Sequence, residues 1–391
     1  MNDNILNTGN QQFINKNLEA DISSLLLKKV PLEGVSIKEV IQQIESKKKC
    51  RKKLPFWYNT ENIYYPDKLN IEQTSSENTA RYKSGLVSGK SIIDLTGGFG
   101  VDTYFFSKKF DSVHHFETDR NLSEITQHNF KVFGIENISF SNQDGIKFLK
   151  NTSLKYDWIY IDPSRRHNQK GKVFLFKDCV PDIIENLNLF FIHSDKILIK
   201  TSPLLDLTIG INDLKYVKHI HVVAVENEVK ELLWILENKY EGEIEIKTIN
   251  IKEKGNETFD FKFHEESEVT ASFSAPKTYL YEPNSAILKS GAFNILSPKL
   301  KLDKLHKHSH LYTSDDLINF PGRSFKIEKI LPYNKKTLKE AGIVKANVTT
   351  RNFPETVSQI RKKFMIKDGG ELYLFFTTDN NEKKVIFCTK T

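Results

Sequence analysis

A glycine-rich turn between a short apolar run and a helical segment constrains this chain more than any other feature. Residues 91–102 have the sequence S-I-I-D-L-T-G-G-F-G-V-D, in which Asp94 precedes three glycines within four positions. Apolar strand, glycine turn and helix is the local order of an α/β unit, and ligands of such sheets bind beyond the carboxyl ends of the strands. Glycine also lets a ligand approach the main chain closely. The sequence therefore predicts a ligand site at this turn.

The acid before the turn separates two classes of cofactor. The dinucleotide fingerprint G-x-G-x-x-G places a pyrophosphate on the helix N-terminus, where a neighbouring carboxylate would repel it. A cofactor with a cationic amine or sulfonium and no phosphate would be attracted. The pattern D-x-T-G-G-x-G-x-D resembles motif I of the class I methyltransferases that depend on S-adenosylmethionine (SAM). An ordinary tight turn would have a similar sequence, so the neighbouring strand ends must decide. The resemblance implies these cofactor residues: Asp94, Thr96, Gly97, Gly98, Gly100 and Asp102.

Two more acids follow the next two predicted strands. Residues 112–117 end in Glu117, which would accept hydrogen bonds from both ribose hydroxyls, with Asp119 as the alternative. Asp144 follows a strand predicted over residues 138–141 and would accept a bond from the adenine amino group. Because these features follow one another in the order that a SAM site requires, together they favour the cofactor interpretation over a plain turn.

The strand predicted over residues 156–162 ends in the motif D-P-S-R-R. Enzymes of this class that methylate amines carry (D/N)-P-P-(Y/F/W) here. An exocyclic base amine becomes nucleophilic when a carboxylate oxygen and a main-chain carbonyl accept its hydrogens, so we predict that Asp162 and Pro163 hold the target amine. Ser164 replaces the second proline and Arg165 replaces the aromatic residue. We predict that Arg165 orients the base or a phosphate, because arginine can stack on bases and bind phosphates.

The residues that follow continue the pattern as D-P-x-x-x-H-x-x-K-x-K, with His167, Lys170 and Lys172. This run is similar to the motif IV region of the small-subunit rRNA guanine-N2 methyltransferase family. The resemblance covers two short motifs and implies guanine N2 in RNA as the target.

The chain as a whole resembles the bacterial class I methyltransferases with a C-terminal THUMP-like domain. The resemblance spans roughly residues 20–391 and rests on E-Q-T-S-S-E-N-T-A-R-Y-K, the glycine turn, I-D-P-S-R-R, E-P-N-S-A-I-L-K-S-G and the terminal domain. It implies an α/β fold: a Rossmann-like methyltransferase core with a helical N-terminal region and a small α+β C-terminal THUMP-like domain. The implied regions are a helical region at 1–80, the methyltransferase core at 81–274, a small ferredoxin-like segment at 275–318 and the THUMP-like domain at 319–391.

Composition narrows the class of protein further. A chain of 391 residues with 39% hydrophobic and 27% charged residues is typical of a globular protein with two or three domains. It lacks an apolar run near the ~20 residues of a membrane span, and its three separated cysteines form no metal or disulfide pattern. We therefore expect a cytoplasmic protein that binds no metal. The net charge of +7 favours polyanionic partners.

Local patterns give three expectations about individual segments. Residues 1–16 are polar and are predicted to be disordered, and a capping box of Ser36 and Glu39 is predicted to begin a helix. A further helix is predicted from about Glu228. Residues 47–53 contain six basic residues in seven, which would either contact phosphates or form a solvated helix end.

The sequence predicts a SAM-dependent methyltransferase that acts on RNA, either tRNA or rRNA, at an exocyclic amine such as guanine N2, with an adenine amine as the alternative. Three other functions stay open. The changes at Ser164 and Arg165 would suit a non-catalytic RNA-binding protein with a relic methyltransferase fold, and an acid after the second strand would suit a nicotinamide-dependent oxidoreductase. The third is a methyltransferase for a small molecule or a protein. The oligomeric state is open as well.

Overall fold

The computed structural model describes residues 1–26, 32–165, 175–379 and 382–391. The chain divides into two compact units: unit 1 comprises residues 1–218 and 232–241, and unit 2 comprises residues 219–231 and 242–391. The region boundaries expected from the sequence stay predictions. Among the described residues, every helix is too short or too polar to cross a membrane.

In its described residues, unit 1 begins with a short 3-10 helix (Asp3–Leu6), which is followed by six α-helices. They are α1 (Thr8–Lys16), α2 (Ile22–Leu26), α3 (Ile37–Lys53), α4 (Pro55–Asn59), α5 (Lys68–Gln73) and α6 (Glu77–Ser84). The capping box at the start of α3 is confirmed, because Ser36 Oγ accepts the Glu39 N–H at 3.2 Å and the Glu39 carboxylate accepts the Ser36 N–H at 2.8 Å. The helical N-terminal region predicted from the sequence is therefore present.

The prediction of disorder for residues 1–16 is wrong. Ile5 and Ile14 are buried in the apolar core of the N-terminal helices, with 0% and 2% of their surface exposed. The side chain of Asn10 supplements this packing by donating to the main-chain carbonyls of Asn4 and Glu33. Two buried isoleucines and the hydrogen bonds of the Asn10 side chain are enough to order this segment, although its average composition is polar.

Several basic side chains of the run at the end of α3 form hydrogen bonds or ion pairs within unit 1. Lys47 Nζ donates to Asn15 Oδ1 at 2.7 Å, and Lys53 Nζ donates to the main-chain carbonyls of Ile71 and Glu72. Arg51 pairs with Glu19, and its Nη2 also donates to a tyrosine hydroxyl. These contacts favour a structural role for much of the run.

The core of unit 1 is a mostly parallel sheet, and helices connect many of its strands along the chain. The strands before residue 202 are β1 (Ser91–Asp94), β2 (Ser112–Phe116), β3 (Ile138–Ser141), β4 (Trp158–Ile161), β5 (Ser164–Arg165), β6 (Cys179–Val180) and β7 (Lys196–Thr201). The helices are α7 (Val101–Ser107), α8 (Arg120–Val132), α9 (Gly145–Lys150), α10 (Ile183–His193) and α11 (Leu207–Asp213). The strand order is β7-β4-β1-β2-β3, all parallel, and β5 pairs with β6 as a separate ribbon.

This order confirms the Rossmann-like core. The chain leaves β1 in one direction through β2 and β3, and returns to its other side with β4. The strand order thus reverses between β1 and β4, and the crevice beyond the carboxyl ends of two such strands is where open α/β sheets bind ligands. The glycine turn and the motif that begins at Asp162 follow these two strands directly.

The helix predicted from Glu228 is wrong, because this segment is a strand, β9 (Glu228–Glu237), which follows β8 (Val217–Val225). Its residues from Leu232 onward lie in unit 1 and pair antiparallel with β7. The run L-L-W-I-L is buried throughout, so its hydrophobic pattern has no period that would distinguish a strand from a helix. The sequence signal that was missed is the pair Glu226-Asn227. It forms a two-residue turn with φ angles of 47° and 64°, which are typical of a hairpin.

Unit 2 contains two sets of strands. In the first, β8 is parallel to β10 (Glu245–Ile251), which is antiparallel to β11 (Glu257–Lys262). The second is a seven-stranded sheet, in the described residues, of order β13-β14-β12-β15-β18-β17-β16. Its strands are β12 (Tyr279–Pro283), β13 (Asp303–Lys304), β14 (Tyr312–Ser314), β15 (Gly322–Pro332), β16 (Asn347–Arg351), β17 (Leu372–Asp379) and β18 (Glu382–Lys390). The helices of unit 2 are α12 (Glu265–Glu268), α13 (Ser285–Ser290), α14 (Leu296–Leu300), α15 (Lys335–Glu340) and α16 (Val357–Phe364). The predicted α+β region is confirmed.

A buried ion pair connects α6 with α7 behind the glycine turn. Lys83 is fully buried, and its Nζ lies 3.2 Å from Asp102 Oδ1. The other oxygen of Asp102 accepts hydrogen bonds from Ser75 Oγ at 2.8 Å and from the Tyr160 hydroxyl at 2.7 Å. The conspicuous E-Q-T-S-S-E-N-T-A-R-Y-K segment thus supplies two partners of Asp102, Ser75 and Lys83, which fix the first turn of α7 to the α6 region, while Tyr160 fixes it to β4.

We expect Lys83→Met to destabilise the protein by about 3–5 kcal/mol, because it leaves the buried Asp102 carboxylate without its counter-charge. Lys48→Met is the matched control, since Lys48 is exposed and lies 3.8 Å from Glu19. An exposed pair of this kind is screened by solvent and contributes little to stability. Urea unfolding of both variants measures the two losses, and equal losses would contradict the structural role of the buried pair.

Candidate active site

The parallel strands of unit 1 bring the predicted acids to one edge of the sheet. Asp94 ends β1, Glu117 directly follows β2 and Asp162 directly follows β4. Asp144 comes after β3 and begins α9. Because the carboxyl ends of parallel strands lie at the same edge, the four acids lie at one edge of the sheet, near the ends of β1 and β4. Their contact with a cofactor stays a prediction.

The glycine turn packs tightly on the sheet on one side and is open on the other. A Cβ atom at Gly97 would lie 2.1 Å from His115 Nε2, so only glycine fits against β2 at that position. Gly100 begins α7 with a φ of +77°, which is costly for other residues. A Cβ atom at Gly98 would meet nothing closer than the Thr96 carbonyl oxygen at 3.9 Å, so a ligand can approach the main chain there.

The carboxylate of Asp94 is used to hold this turn. Its side chain is buried, with Oδ1 accepting the Thr96 N–H at 3.0 Å and Oδ2 accepting the Thr103 hydroxyl at 2.7 Å. Burial raises the pKa of Asp94 from its ordinary value of 3.8 to about 7, and the negative charges of Asp102 and Asp162 act in the same direction. The acid predicted to face a cationic cofactor would therefore act on it through space, from beneath the turn.

Glu117 connects the end of β2 with the glycine turn. Its Oε2 accepts the Gly98 N–H at 3.0 Å, and its Oε1 accepts the Asp119 N–H at 2.7 Å. Asp119, the alternative ribose ligand, caps α8 by accepting the Leu122 N–H at 3.0 Å. The half-buried carboxylate of Glu117 is thus next to the open glycine, which supports the choice of Glu117 over Asp119.

Asp144 caps the helix that follows β3. Its Oδ1 accepts the N–H groups of Ile146 at 2.8 Å and Lys147 at 3.3 Å, and Oδ2 has no partner among the described residues. Asp144 therefore has one oxygen committed to the fold and one available for a donor such as an amino group.

Asp162 is connected both to the glycine turn and to the neighbouring strand. Its main-chain N–H donates to Thr96 Oγ1 at 2.6 Å, which gives Thr96 a defined role between the two motifs. Its carboxylate Oδ2 lies 2.5 Å from Lys200 Nζ, and the two side chains are 29% and 14% exposed. Pro163 is buried behind Asp162, and Ser164 pairs with Val180 in the β5–β6 ribbon.

Part of the predicted target site lies outside the described residues. This applies to the side chain of Arg165 and to residues 166–174, which include His167, Lys170 and Lys172. Their predicted roles stay predictions.

Lys200 is the site residue that sequence reasoning missed. It precedes the last residue of β7, next to β4, so its ammonium lies at the same sheet edge as Asp162. The available signal was a lysine inside the buried strand K-I-L-I-K-T, where only a partnered charge is tolerated. The sequence did not indicate which acid that partner was.

Asp102 also has a different setting from the one implied by the resemblance. The Asp102 carboxylate contacts Lys83, Ser75 and Tyr160, and 8% of the surface of Asp102 is exposed. It therefore supports the turn from behind, and direct contact with a cofactor stays a prediction.

Comparison with known proteins bears on both units. Residues 89–165 match the family model of RNA cap guanine-N2 methyltransferases, residues 279–321 match a ferredoxin-like domain, and residues 322–390 match a THUMP domain-like family. The crystal structure of a proposed methyltransferase from Porphyromonas gingivalis W83 has a TM-score of 0.87 with this chain. The two are 31% identical, and 97% of each chain is covered.

A curated relative covers a shorter region. An uncharacterized RNA methyltransferase of Mycoplasma mobile is 34% identical over 97 residues, or 24% of this chain. The chain spans 26% of the length of that relative.

The raised pKa of Asp94 predicts a pH-dependent contribution to stability. Folding favours the neutral form, so this contribution is complete below pH 3.8 and is lost as the pH rises to about 7. Asp94→Asn keeps an acceptor for Thr96 and stays neutral throughout. We therefore expect the variant to gain stability relative to the natural protein as the pH rises from about 4 to about 7, as measured by urea unfolding. A stability difference that is constant over this range would contradict the raised pKa.

Proposed function

Because the chain belongs to the class I methyltransferases that carry a C-terminal THUMP-like domain, we propose that it transfers the methyl group of SAM to an exocyclic amine of an RNA base. The proposed target is guanine N2 in tRNA or rRNA, with an adenine amine as the second candidate. The match of residues 89–165 to guanine-N2 enzymes supports the atom, and the relative from Mycoplasma mobile supports RNA. The observation that carries the proposal is the bond between Thr96 and Asp162, which connects the glycine turn to the D-P motif.

The residues at the sheet edge fit SAM by their chemistry. SAM supplies a methyl group that its sulfonium makes electrophilic. A cationic cofactor suits an edge that carries Glu117, Asp144 and Asp162 and has Asp94 beneath it, whereas the pyrophosphate of a dinucleotide would be repelled there. The open main chain at Gly98 gives room for close approach, since the nearest atom to an added Cβ is 3.9 Å away. Glu117, Asp144 and Asp162 can also accept hydrogens from hydroxyl and amino groups.

Glu117 and Asp144 are the proposed ligands of the ribose and adenine groups. Glu117 is already positioned beside the open glycine by its bond to the Gly98 N–H. Asp144 Oδ2 is available to an amino group while Oδ1 holds the helix. Asp94, Asp102 and Thr96 keep the turn in place through the bonds described above.

Asp162 is the proposed catalytic residue. Its carboxylate accepts one hydrogen of the target amine and the carbonyl at Pro163 accepts another, which draws the nitrogen lone pair out of the ring. SAM would supply the methyl group to this lone pair, and Asp162 would take up the proton that the amine loses or pass it to water. Most of the acceleration then comes from positioning and electrostatics.

Lys200 positions Asp162 for this role. Its Nζ holds Oδ2, so Oδ1 is the oxygen that we assign to the amine. An ammonium beside a carboxylate also complements the base edge of guanine, where amine and ring N–H donors lie next to the O6 acceptor. An adenine edge, with an amine beside a ring acceptor, would complement the pair as well, so the preference for guanine rests on the family match of residues 89–165.

We expect Asp162→Ala to abolish methyl transfer while SAM still binds, because the target amine loses its acceptor. Asp162→Asn should retain part of the activity, since an amide oxygen accepts the same hydrogen. The measurement is transfer of labelled methyl groups from SAM to total tRNA and rRNA, with calorimetry for SAM affinity.

Asp195→Ala is the matched control, because Asp195 is exposed just before the opposite end of β7. It should methylate RNA like the natural protein. Full activity in Asp162→Ala would remove Asp162 from the mechanism, and a large loss of SAM affinity would place it in the cofactor site instead.

Replacement of Glu117 tests the ribose ligand. Glu117→Ala removes a charged acceptor, and bonds to charged groups contribute about 1.5–3 kcal/mol, so we expect SAM affinity to fall on the order of 10- to 100-fold. Asp119→Asn is the control, since asparagine also caps helices and should preserve affinity. Calorimetric titration with SAM measures both. A loss in Asp119→Asn with none in Glu117→Ala would exchange the two roles.

A further inference from the structure

The E-P-N-S motif lies in unit 2 and is not among the residues assigned above to methyl transfer. Its first residue, Glu282, lies on β12 and is buried, with 5% of its side chain exposed. A buried carboxylate needs partners, and Glu282 has two arginines. Arg323, near the start of β15, donates from Nε at 2.7 Å and also from Nη2. Arg351, at the end of β16, donates from Nε at 3.0 Å, and its Nη2 lies 2.9 Å away.

Both guanidiniums are held in place and are also accessible. The side chains of Arg323 and Arg351 are 39% and 34% exposed. Each uses Nε and Nη2 on Glu282, and neither Nη1 has a hydrogen-bond partner among the described residues. The Arg323 guanidinium also lies 5.4 Å from the centre of the Phe325 ring, a distance at which cations and rings attract. The structure thus presents two fixed guanidiniums side by side.

The surroundings of this pair contain further basic residues. Burial, together with the positive charges of Lys304 and Arg351, lowers the pKa of His310 to about 4, so His310 itself is neutral near pH 7. Next to Arg351, the Asn352 side chain donates to His306 Nδ1 at 3.0 Å. Lys307 and His308 are exposed in the same loop as His306.

Two acids that face this cluster from neighbouring elements already have partners. The charge of Asp379 on β17 acts on the pKa of His306, but its carboxylate lies 3.3 Å from Lys384 Nζ. The charge of Glu266 acts on the pKa of Lys304, but its carboxylate accepts the main-chain N–H groups of Asn294 and Ile295. Glu282 itself can balance only one of its two arginines. The pair and its surroundings therefore carry excess positive charge.

The second arginine adds more positive charge than the neutralisation of Glu282 requires. One guanidinium would neutralise Glu282, whereas two guanidiniums on one carboxylate repel each other. The repulsion is relieved when an anion binds between or beside their free N–H groups. Phosphate oxygens match the planar donor geometry of arginine, and side chains that are already fixed lose little conformational entropy when they bind.

We infer that Arg323 and Arg351 form a phosphate-binding site for the RNA backbone on unit 2, with Glu282 as the residue that positions them. The identity of the polyanion as RNA rests on the proposed function. The site joins the region matched to a ferredoxin-like domain, which supplies Glu282, with the THUMP-like region, which supplies both arginines. It gives the E-P-N-S motif a role in binding substrate far along the chain from the D-P motif.

Neutralisation of the buried acid gives the sharpest test, because two explanations predict opposite signs. Glu282→Gln keeps both arginines and makes unit 2 more positive. If attraction to RNA is diffuse, this variant binds tRNA more tightly. If the arginine pair must be oriented, it binds more weakly, and we expect a loss of about tenfold. The probe is fluorescein-labelled bulk tRNA, titrated with the full chain by fluorescence anisotropy.

Arg323→Gln/Arg351→Gln tests the site from the other side. The amides can still donate to Glu282, and thermal unfolding of the double variant checks that the fold is kept. We expect tRNA affinity to fall by tenfold or more. The slope of log affinity against log salt concentration should decrease in magnitude by about 0.7 for each phosphate that the double variant no longer neutralises, the value for single strands.

Arg361→Gln is the matched control, because Arg361 also lies in the THUMP-like region and pairs singly with an exposed acid, Asp368. We expect it to change tRNA affinity by less than about twofold. A loss in Arg361→Gln equal to that of the double variant, or tighter binding by Glu282→Gln, would overturn the proposal in favour of diffuse attraction.

A titration with inorganic phosphate at constant ionic strength distinguishes a free anion from RNA as the ligand. If the double variant loses phosphate binding but binds tRNA normally, the site serves a free anion and the proposal is overturned.

Methyl transfer is measured separately from tRNA binding. Normal tRNA binding by the double variant refutes the arginine site alone, whereas tRNA that is bound through the pair but never methylated refutes the proposed function alone.

Discussion

The hydrogen bonds of one buried carboxylate, that of Asp94, determine the form of the site. With Thr96 on one oxygen and Thr103 on the other, Asp94 connects the start of the glycine turn to the helix that follows it. The same Thr96 then accepts the main-chain N–H of Asp162 through its hydroxyl. Through two residues, the end of β1 is thereby coupled to the end of β4, and the proposed cofactor and target sites lie next to each other.

Buried acids have a common use in both units of this protein. Asp94 holds a turn, Asp102 holds a helix through Lys83, and Glu282 holds two arginines. In each case the acid is buried, and its partners determine the geometry of a neighbouring surface that a ligand can reach. This arrangement explains why residues that resemble ligands in the sequence are found one layer beneath the crevice, as Asp94 and Asp102 are.

The sequence was sufficient for the order of the core and for the positions of its acids. Parallel strands end at one edge, so Glu117, Asp144 and Asp162 could be placed together from their positions after apolar runs. It was not sufficient where burial removes periodicity, as in β9, where a run buried on both faces was predicted to be helical. It also failed for pairs that only the fold brings together, such as Asp162 with Lys200, which are 38 positions apart.

We propose that SAM binds at the sheet edge beyond β1 and β4. Calorimetric titration of the natural chain with SAM, and separately with NAD, is the first test of this site. We predict binding of SAM at a single site per chain and no binding of NAD, because the acids attract a cationic cofactor and repel a pyrophosphate. Binding of NAD without SAM would contradict it, and failure to bind SAM would favour an RNA-binding protein that has kept only the methyltransferase fold.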